Sequence, residues 1–425
     1  MQVRRFLVDL SPLRESISYR RLFWGQMISL LGTQLTLVAL PLHVYLLTHS
    51  SLALGFLGFV QLVPTLVLTL FGGTLADALD RRRVLLMTQS LLLLTCAALA
   101  IVTLLPSPPL WLIYLLAALL AGIAGVDGPA RGAVTRNLVR RELFPAAAAL
   151  NSLVRQTGAI VGPALAGVIL AFFPLSLAYW LDAATYGAAL GAVILLPAQL
   201  PQGGERSVGW RSFTEGIRYL RGRQVVQGVL LIDSNAMVFG MPRALFPALG
   251  LTIFQGGAQA VGLLYAAPAV GALIGAASSG WVGRLQRPGR AVVILVVLWG
   301  AVITLFGLST WLPLALILLA IAGWADSVSE VLRSSLLQLS VPNSLRGRIT
   351  AVWLAQADSA PHLGDLESGV VASLTNASIS VATGGAACML GALVLAWALP
   401  LFRQVRLERI DGLEIVGETI SIHTG

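Results

Sequence analysis

Residues 72–83 read GGTLADALDRRR, from Gly72 to Arg83, and form a short polar stretch between two long apolar runs. Polar stretches are scarce in this chain, because only 11% of its 425 residues are charged and 57% are hydrophobic. A soluble domain carries about 25% charged residues, so the composition excludes a water-soluble fold of this size. The apolar runs on both sides are therefore predicted to cross a membrane, for which a helix needs about 20 mostly apolar residues.

The whole chain contains twelve apolar runs of this kind, separated by turn or charge signals. The sequence therefore predicts an all-α membrane protein with twelve transmembrane helices. The predicted spans cover residues 22–47, 52–76, 84–105, 110–139, 145–171, 177–197, 225–250, 258–283, 291–308, 312–340, 345–373 and 379–402.

The positions of the arginines orient these spans. All 28 basic residues are arginines, and with 19 acids they give a net charge of +9. Every second linker, beginning with residues 48–51, contains no arginine, and the alternate linkers hold nearly all of it. Basic loops stay in the cytoplasm, so we expect those linkers and both termini to be cytoplasmic. Arginines spread over short loops form no continuous basic groove, so the expected partner is the lipid bilayer and not a nucleic acid.

The polar stretch is also part of an internal repeat. It has a counterpart 207 positions later, at residues 280–290, and a second alignment at an offset of 202 pairs Arg131 with Arg333. The repeats indicate two related six-helix halves, the plan of transporters whose halves rock about a central site. The predicted domains are a cytoplasmic N-terminal segment (1–21), a first six-helix bundle (22–197), a cytoplasmic linker with an amphipathic helix (198–224), a second six-helix bundle (225–402) and a cytoplasmic tail (403–425).

The stretch from Gly72 to Arg83 resembles the signature of the loop between spans 2 and 3 in the major facilitator superfamily. A pattern in span 5 resembles the antiporter signature of that superfamily, with Ala149 in place of its first glycine; the matching residues are Gly158, Gly162, Pro163 and Gly167. The second half is similar to the enterobactin (catecholate siderophore) exporter family, notably over residues 262–268 and 347–349. The resemblance implies the major facilitator fold, alternating access, and a preference for export over uptake.

The same resemblance, extended by the repeat, implies a set of gating residues. These are Gly73, Asp77, Arg81, Arg82, Arg83, Arg131, Arg284 and Arg333. Asp77 is expected to bridge the halves through Arg131 and the positive N-terminus of span 11. The alternative is that the arginines of this loop only set the topology.

Acids inside the spans are the candidates for proton coupling, because a charge at the bilayer centre costs about 2.5–3.5 kcal/mol. The candidates are Asp127, Asp326, Glu330, Asp233 and Asp358. Asp127 and Arg131 share a helix face at a spacing of four, which fits either a self-satisfied ion pair or a protonatable switch. The acids at 326 and 330 share a face with Arg333 and form either a coupling group or a structural network. The other two acids have no basic residue nearby in their spans, and are expected to be neutral at rest or to line a cavity.

Cations and aromatic side chains in the spans are the candidates for the substrate cavity. They are Arg155, Arg243, Tyr265 and Trp353. The arginines suit anionic catechols or carboxylates, or alternatively ion pairs with neighbouring spans. The aromatic rings can stack on a flat substrate, or alternatively belong to the core or the interfacial belt. Three further acids are expected toward the outer gate: Asp182, Asp365 and Glu367.

The sequence contains no phosphate-binding loop, no nucleophile motif and no metal-ligand spacing among its four histidines and two cysteines. We therefore expect no enzyme activity, no cofactor and no metal, and a monomer driven by an ion gradient. The predicted function is export of a siderophore-like (catecholate) or amphipathic small molecule by proton antiport. The alternatives are multidrug or macrolide efflux and, in another class, a transport-inactive membrane sensor or scaffold.

Overall fold

The computed structural model describes the backbone of residues 9–199, 210–410 and 413–417. Within these ranges it does not describe the side chains of residues 70–78, 210–213, 216, 283–284, 343–344, 346, 351, 407–410 and 413–417. The chain divides into two compact units. The first comprises Met1–Trp210 with Phe246–Ala266, and the second comprises Arg211–Leu245 with Ala267–Gly425.

The first unit is built from long helices that pack side by side. Its helices are α1 (Ser11–Glu15), α2 (Ile17–Thr48), α3 (Ser51–Ala78), α4 (Arg81–Val102), α5 (Leu110–Leu138), α6 (Phe144–Phe172), α7 (Leu175–Ile194), the short α10 (Phe246–Ala248) and the first half of α11 (Gly257–Ser278). A 3-10 turn (Arg141–Leu143) precedes α6, and a π-helical turn (Leu249–Ile253) follows α10. The most extensive contacts join α3 with α5, and α7 with both α2 and α4.

The second unit contains the remaining elements. They are α8 (Trp210–Leu220), α9 (Gln224–Phe239), a 3-10 turn (Arg243–Leu245), the second half of α11 (Gly257–Ser278), a further 3-10 segment (Ser279–Arg284), α12 (Pro288–Leu308), α13 (Leu312–Ser340), α14 (Asn343–Leu374), α15 (Ala377–Ala398), α16 (Pro400–Gln404), β1 (Arg406–Ile410) and β2 (Leu413–Gly417). Here α12 packs mainly on α15 and α13, and α9 packs on α14 and α15.

Local sequence signals explain where several helices begin. The Asp80 carboxylate in the quoted stretch accepts a hydrogen bond from the backbone N–H of Arg82 at 3.0 Å, so it caps the first turn of α4. The same oxygen accepts from the backbone of Gln199 at 2.9 Å. Asn376 caps α15 in the same way through the N–H of Ile379. The start of α4 is thus set by one acid of the loop.

Within the described ranges, eleven helical segments are long and apolar enough to span a membrane. The one predicted span outside this set is span 11, which forms α14; this helix is 32 residues long but contains Asp358, Asp365 and Glu367 and is therefore less apolar. Large apolar side chains cover the outward faces; Trp397, for example, is 81% exposed and Leu94 is 62% exposed. Such surfaces require a lipid solvent, and the predicted fold class is confirmed.

Two details differ from the sequence prediction. The predicted span at 225–250 is interrupted, because α9 ends at Phe239 and a 3-10 turn starts at Arg243. Pro242 cannot donate a helical hydrogen bond, and it marks this interruption. The tail beyond α16 forms an antiparallel hairpin in which Arg406 pairs with Gly417.

Candidate functional site

A buried cluster of charges lies inside the second unit. The guanidinium of Arg333 on α13 is 2% exposed and contacts two carboxylates. Its Nη1 lies 2.6 Å from Oδ1 of Asp233 on α9, and its Nη2 donates to Oδ1 of Asp326 at 2.9 Å. Gln356 on α14 donates to Oδ2 of Asp233 at 3.0 Å. These contacts connect α9, α13 and α14: an ion pair joins the first two helices, and the amide of Gln356 joins α14 to them.

Helical spacing explains the contact between Asp326 and Arg333, one of the two ion pairs in the cluster. Asp326 and Arg333 are seven positions apart, which is close to two turns, so they lie on one face of α13. Asp233 lies on a different helix, α9. Its ion pair with Arg333 of α13 supplies the basic neighbour that its own span lacks. The structure thus brings two of the proton-coupling candidates, Asp233 and Asp326, into contact with Arg333. Glu330 interacts electrostatically with the same arginine but is exposed.

Asp326 also interacts electrostatically with Arg243, which in turn interacts with Asp365. Among the described residues, two guanidinium groups therefore face three carboxylates, so negative charge exceeds positive charge when all of these groups are ionised. An unbalanced buried charge is costly. A proton on one carboxylate removes the imbalance. Asp326 is the natural group to accept it, because its side chain is 22% exposed whereas that of Asp233 is 4% exposed.

The interruption of span 7 lies within the same unit and carries Arg243. Below the break, the N–H of Gly240 closes the last turn of α9 on the carbonyl of Ala236 at 2.8 Å. The indole Nε1 of Trp299 donates to the Gly240 carbonyl at 2.9 Å, so a buried tryptophan satisfies the backbone that the break frees. Broken helices with freed backbone groups commonly form binding sites in transporters.

Above the break, an acid from α14 fixes the 3-10 turn. Asp365 accepts a hydrogen bond from the backbone N–H of Ala244 at 3.1 Å. Arg243 interacts electrostatically with Asp365, His362 and Asp326. Sequence reasoning assigned Asp365 to an outer gate. That assignment stays a prediction; in the structure the carboxylate accepts a hydrogen bond from the start of the 3-10 turn. The Gly-Met-Pro sequence at 240–242 is the signal that could have predicted the break.

The first unit holds a second charge pair, between Asp127 and Arg131 on α5. Arg131 Nη2 and Nε donate to Oδ2 of Asp127 at 2.8 and 3.1 Å. The other carboxylate oxygen accepts from Thr88 Oγ1 at 2.7 Å and from Gln89 Nε2 at 2.8 Å. Both oxygens are therefore occupied, which is the geometry of a satisfied ion pair.

The antiporter-like motif forms a packing surface on α6. A side chain on Gly158 would overlap Leu30 of α2, and one on Gly162 would overlap Gln34. A Cβ on Gly167 would lie 3.0 Å from the Cα of Gly262 on α11. Pro163 is buried, and its carbonyl lies close to Gly262. The motif thus lets α6 approach two neighbouring helices of the first unit closely.

Some predicted gating residues are held by local contacts. Arg81 donates to Oδ1 of Asn137 at 3.3 Å, Arg82 donates to the carbonyl of Ile194 at 2.7 Å, and Arg83 is exposed. Three other predicted gating residues lie outside the described side chains: Gly73, Asp77 and Arg284.

The remaining substrate and coupling candidates are not gathered in one unit. Arg155 is exposed on α6, and Tyr265 packs edge-on against Phe246 at 5.0 Å, both in the first unit. Trp353 is half-buried and Asp358 is exposed, both on α14 in the second unit. The part of the chain that the structure describes contains no cluster of His, Cys, Asp and Glu fit to hold a metal.

Comparison with known proteins identifies the family. The profile of the family described as "Transmembrane secretion effector" matches residues 8–414. The enterobactin exporter EntS of Escherichia coli O1:K1 / APEC is 31% identical over 407 residues, which cover 95% of this chain and 98% of the relative. The enterobactin exporter EntS of Citrobacter koseri is 31% identical over 406 residues, covering 96% and 97%.

Solved structures show the same fold at low identity. The nucleoside transporter NupG aligns with a TM-score of 0.66 at 13% identity, over 91% of this chain and 99% of its own. A POT family transporter in complex with 5-aminolevulinic acid aligns with a TM-score of 0.73 at 13% identity, over 92% and 97%. The chain therefore belongs to the transmembrane secretion effector family of the major facilitator superfamily and is a multi-pass membrane transporter of a small molecule.

Proposed function

We propose that the protein is a secondary active exporter, which moves a siderophore-like (catecholate) or amphipathic small molecule out of a bacterial cytoplasm in exchange for protons. The substrate class is supported by the two enterobactin exporters, which match nearly the whole chain. The proposal places the protein in the inner membrane as a monomer. Its two termini lie in the cytoplasm, as the arginine distribution favours.

The observation that carries the proton exchange is the unbalanced cluster around Arg333. Asp233 and Asp326 contact Arg333. Arg243 interacts with Asp326 and Asp365, so three carboxylates share two guanidinium groups. A proton on Asp326 neutralises the cluster, and its release restores the negative charge. A buried group that changes charge in this way can bias the packing of the helices that meet there, which are α9, α13 and α14.

Competition between proton and substrate then gives exchange. A catechol ring presents hydroxyl groups, which donate to an ionised carboxylate such as Asp326, and an oxygen anion when it is itself ionised, which suits Arg243. Protonation of the carboxylate takes up an acceptor that the catechol needs. Proton and substrate therefore exclude one another at this site, as antiport requires.

The proposed gate follows from the loop at 72–83 and its repeat. Gly73, Asp77 and the three following arginines act with Arg131 on one half, and Arg284 and Arg333 take the corresponding positions on the other. The antiporter-like motif on α6 contributes close helix packing to this cycle.

The test is transport into everted membrane vesicles. Vesicles with an acidic lumen are expected to accumulate a catecholate such as enterobactin, and collapse of the pH gradient is expected to stop accumulation. Asp326→Asn should abolish the gradient-driven accumulation while exchange of labelled for unlabelled substrate continues, since the exchange needs no proton. Glu142→Gln, an exposed acid far along the chain from the cluster, is the matched control and should behave as the unmodified protein.

Two results would contradict the proposal. Accumulation that does not depend on the pH gradient would contradict the proton coupling. Accumulation of macrolides but not of catecholates would show that the protein is a drug exporter. A membrane sensor or scaffold predicts no transport of either class by the unmodified protein.

A further inference from the structure

The first unit contains a buried acid that lies far in sequence from the cluster around Arg333, which belongs to the second unit. Asp182 on α7 is 1% exposed. Its Oδ2 accepts a hydrogen bond from Oγ1 of Thr36 on α2 at 2.5 Å and from Sγ of Cys96 on α4 at 3.3 Å. Its Oδ1 lies 3.4 Å from Oγ1 of Thr185. Three helices therefore contribute to a closed site around one carboxyl group.

Among the side chains that the structure describes, no cation contacts Asp182. Among the described residues it forms no ion pair, and its polar neighbours are hydroxyls and a thiol. This distinguishes it from Asp127, Asp233 and Asp326, each of which contacts an arginine. An ionised carboxylate in such a place lacks the compensation that buried charges require.

The site is built to fit the acid. Gly32 on α2 faces it, and a Cβ there would lie 2.6 Å from Asp182 Oδ1 and would overlap Thr185 Oγ1. A residue larger than glycine would therefore displace the carboxyl group. The hydroxyl of Thr36 can either donate to a carboxylate or accept from a carboxylic acid, so the site can accommodate both protonation states by turning one hydroxyl.

Other groups that can carry protons lie on both sides of Asp182 along α7. Tyr186, one turn away, shares a hydrogen bond of 2.9 Å with Thr33 and interacts electrostatically with Asp182 and Asp127. Tyr179, three residues away in the other direction, shares a hydrogen bond of 3.3 Å with His43 of α2. The next most extensive packing partner of α7, after α2 and α4, is α6, and it supplies no ionisable partner to Asp182 among the described residues.

We propose that Asp182 is a proton-binding site of the first unit, which takes up and releases a proton during the transport cycle independently of the cluster around Arg333. The inference rests on the proposed antiport for its role, but the site itself is defined by contacts within α2, α4 and α7. When the carboxyl group is ionised, Thr36 and Cys96 donate to it. When it is protonated, it donates to Thr36, so the contact between α2 and α7 changes with the proton.

Infrared difference spectroscopy of the full-length protein in lipid tests this directly. A step between acidic and alkaline buffer should reveal carbonyl stretching bands of buried carboxylic acids. Asp182→Asn should remove one of these bands, and Asp326→Asn, at the cluster around Arg333, should leave that band in place. Glu142→Gln changes an exposed acid and should leave it in place. A set of bands that is the same in Asp182→Asn as in the unmodified protein overturns the proposal.

A second variant retains the acid and covers the case in which Asp182→Asn fails to insert. Thr36→Val removes the nearest hydrogen-bond partner, so the band should change frequency; an unchanged band overturns the proposal. The measurement needs no substrate, so it fails or succeeds separately from the transport assay. If the site is correct and antiport is correct, Asp182→Asn should also lose gradient-driven accumulation in everted vesicles. If the proposed antiport is wrong but Asp182 does bind a proton, the band is still present in the unmodified protein and absent from Asp182→Asn.

Discussion

The ion pairs of Arg333 make a quantitative prediction about stability. Replacing the arginine by methionine leaves Asp233, whose side chain is 4% exposed, without its cation. Removing one partner of a buried pair costs about 3–5 kcal/mol, which is about a hundred- to several-thousand-fold in the unfolding equilibrium. Asp326→Asn should cost less, about 1.5–3 kcal/mol for a hydrogen bond to a charged group, because Arg333 keeps its contact with Asp233.

The measurement is chemical unfolding in detergent micelles, followed through the fluorescence of the tryptophans. The double variant Arg333→Met with Asp233→Asn should regain part of the loss, since it removes the orphaned charge together with the cation. The loss in Arg333→Met should also shrink as the pH falls, because protonation of the orphaned carboxyl groups removes the buried charge. A cost for Arg333→Met no larger than that of Glu142→Gln, or a double variant as unstable as the sum of the single ones, would refute the reasoning.

Three further predictions concern packing and surface contacts. Gly162→Ala should lower the thermal midpoint and the inserted yield, because its Cβ would overlap a neighbouring side chain, whereas Gly191→Ala, with open space around it, should match the unmodified protein in both measurements. Trp299→Phe should lose about 1 kcal/mol in the same unfolding assay, since it removes the hydrogen bond to the broken helix; an unchanged midpoint would show that the break is held by other contacts. Glu215→Gln disrupts a pair with Arg348 that is 30–38% exposed, and it should change stability by less than about 1 kcal/mol, with a larger loss contradicting its assignment as a surface pair.

The sequence predicts the spans well, because a bilayer imposes long apolar helices and a sorted distribution of arginines. It also predicts contacts that follow helical spacing. Asp127 and Arg131 are four residues apart and form an ion pair in the structure. Asp326 and Arg333 are seven apart and do so as well. In these cases one helix supplies both partners, so periodicity is sufficient.

Contacts between helices could not be predicted in this way. Asp233 meets Arg333 only because α9 packs on α13, and the sequence of span 7 contains no sign of that neighbour. Asp182 is similar, since Thr36 and Cys96 come from helices distant in sequence. The break at Pro242 was visible as a helix-breaking residue, but the apolar character of the flanking residues favoured one continuous span.

The most direct test of the proposed exchange is to measure proton and substrate together. Liposomes containing the purified protein and a pH-sensitive dye should, on addition of a catecholate outside, show protons leaving the lumen as the substrate enters. The proton movement should vanish in Asp326→Asn and persist in Glu142→Gln. Substrate entry with no change in luminal pH in the unmodified protein would contradict the account.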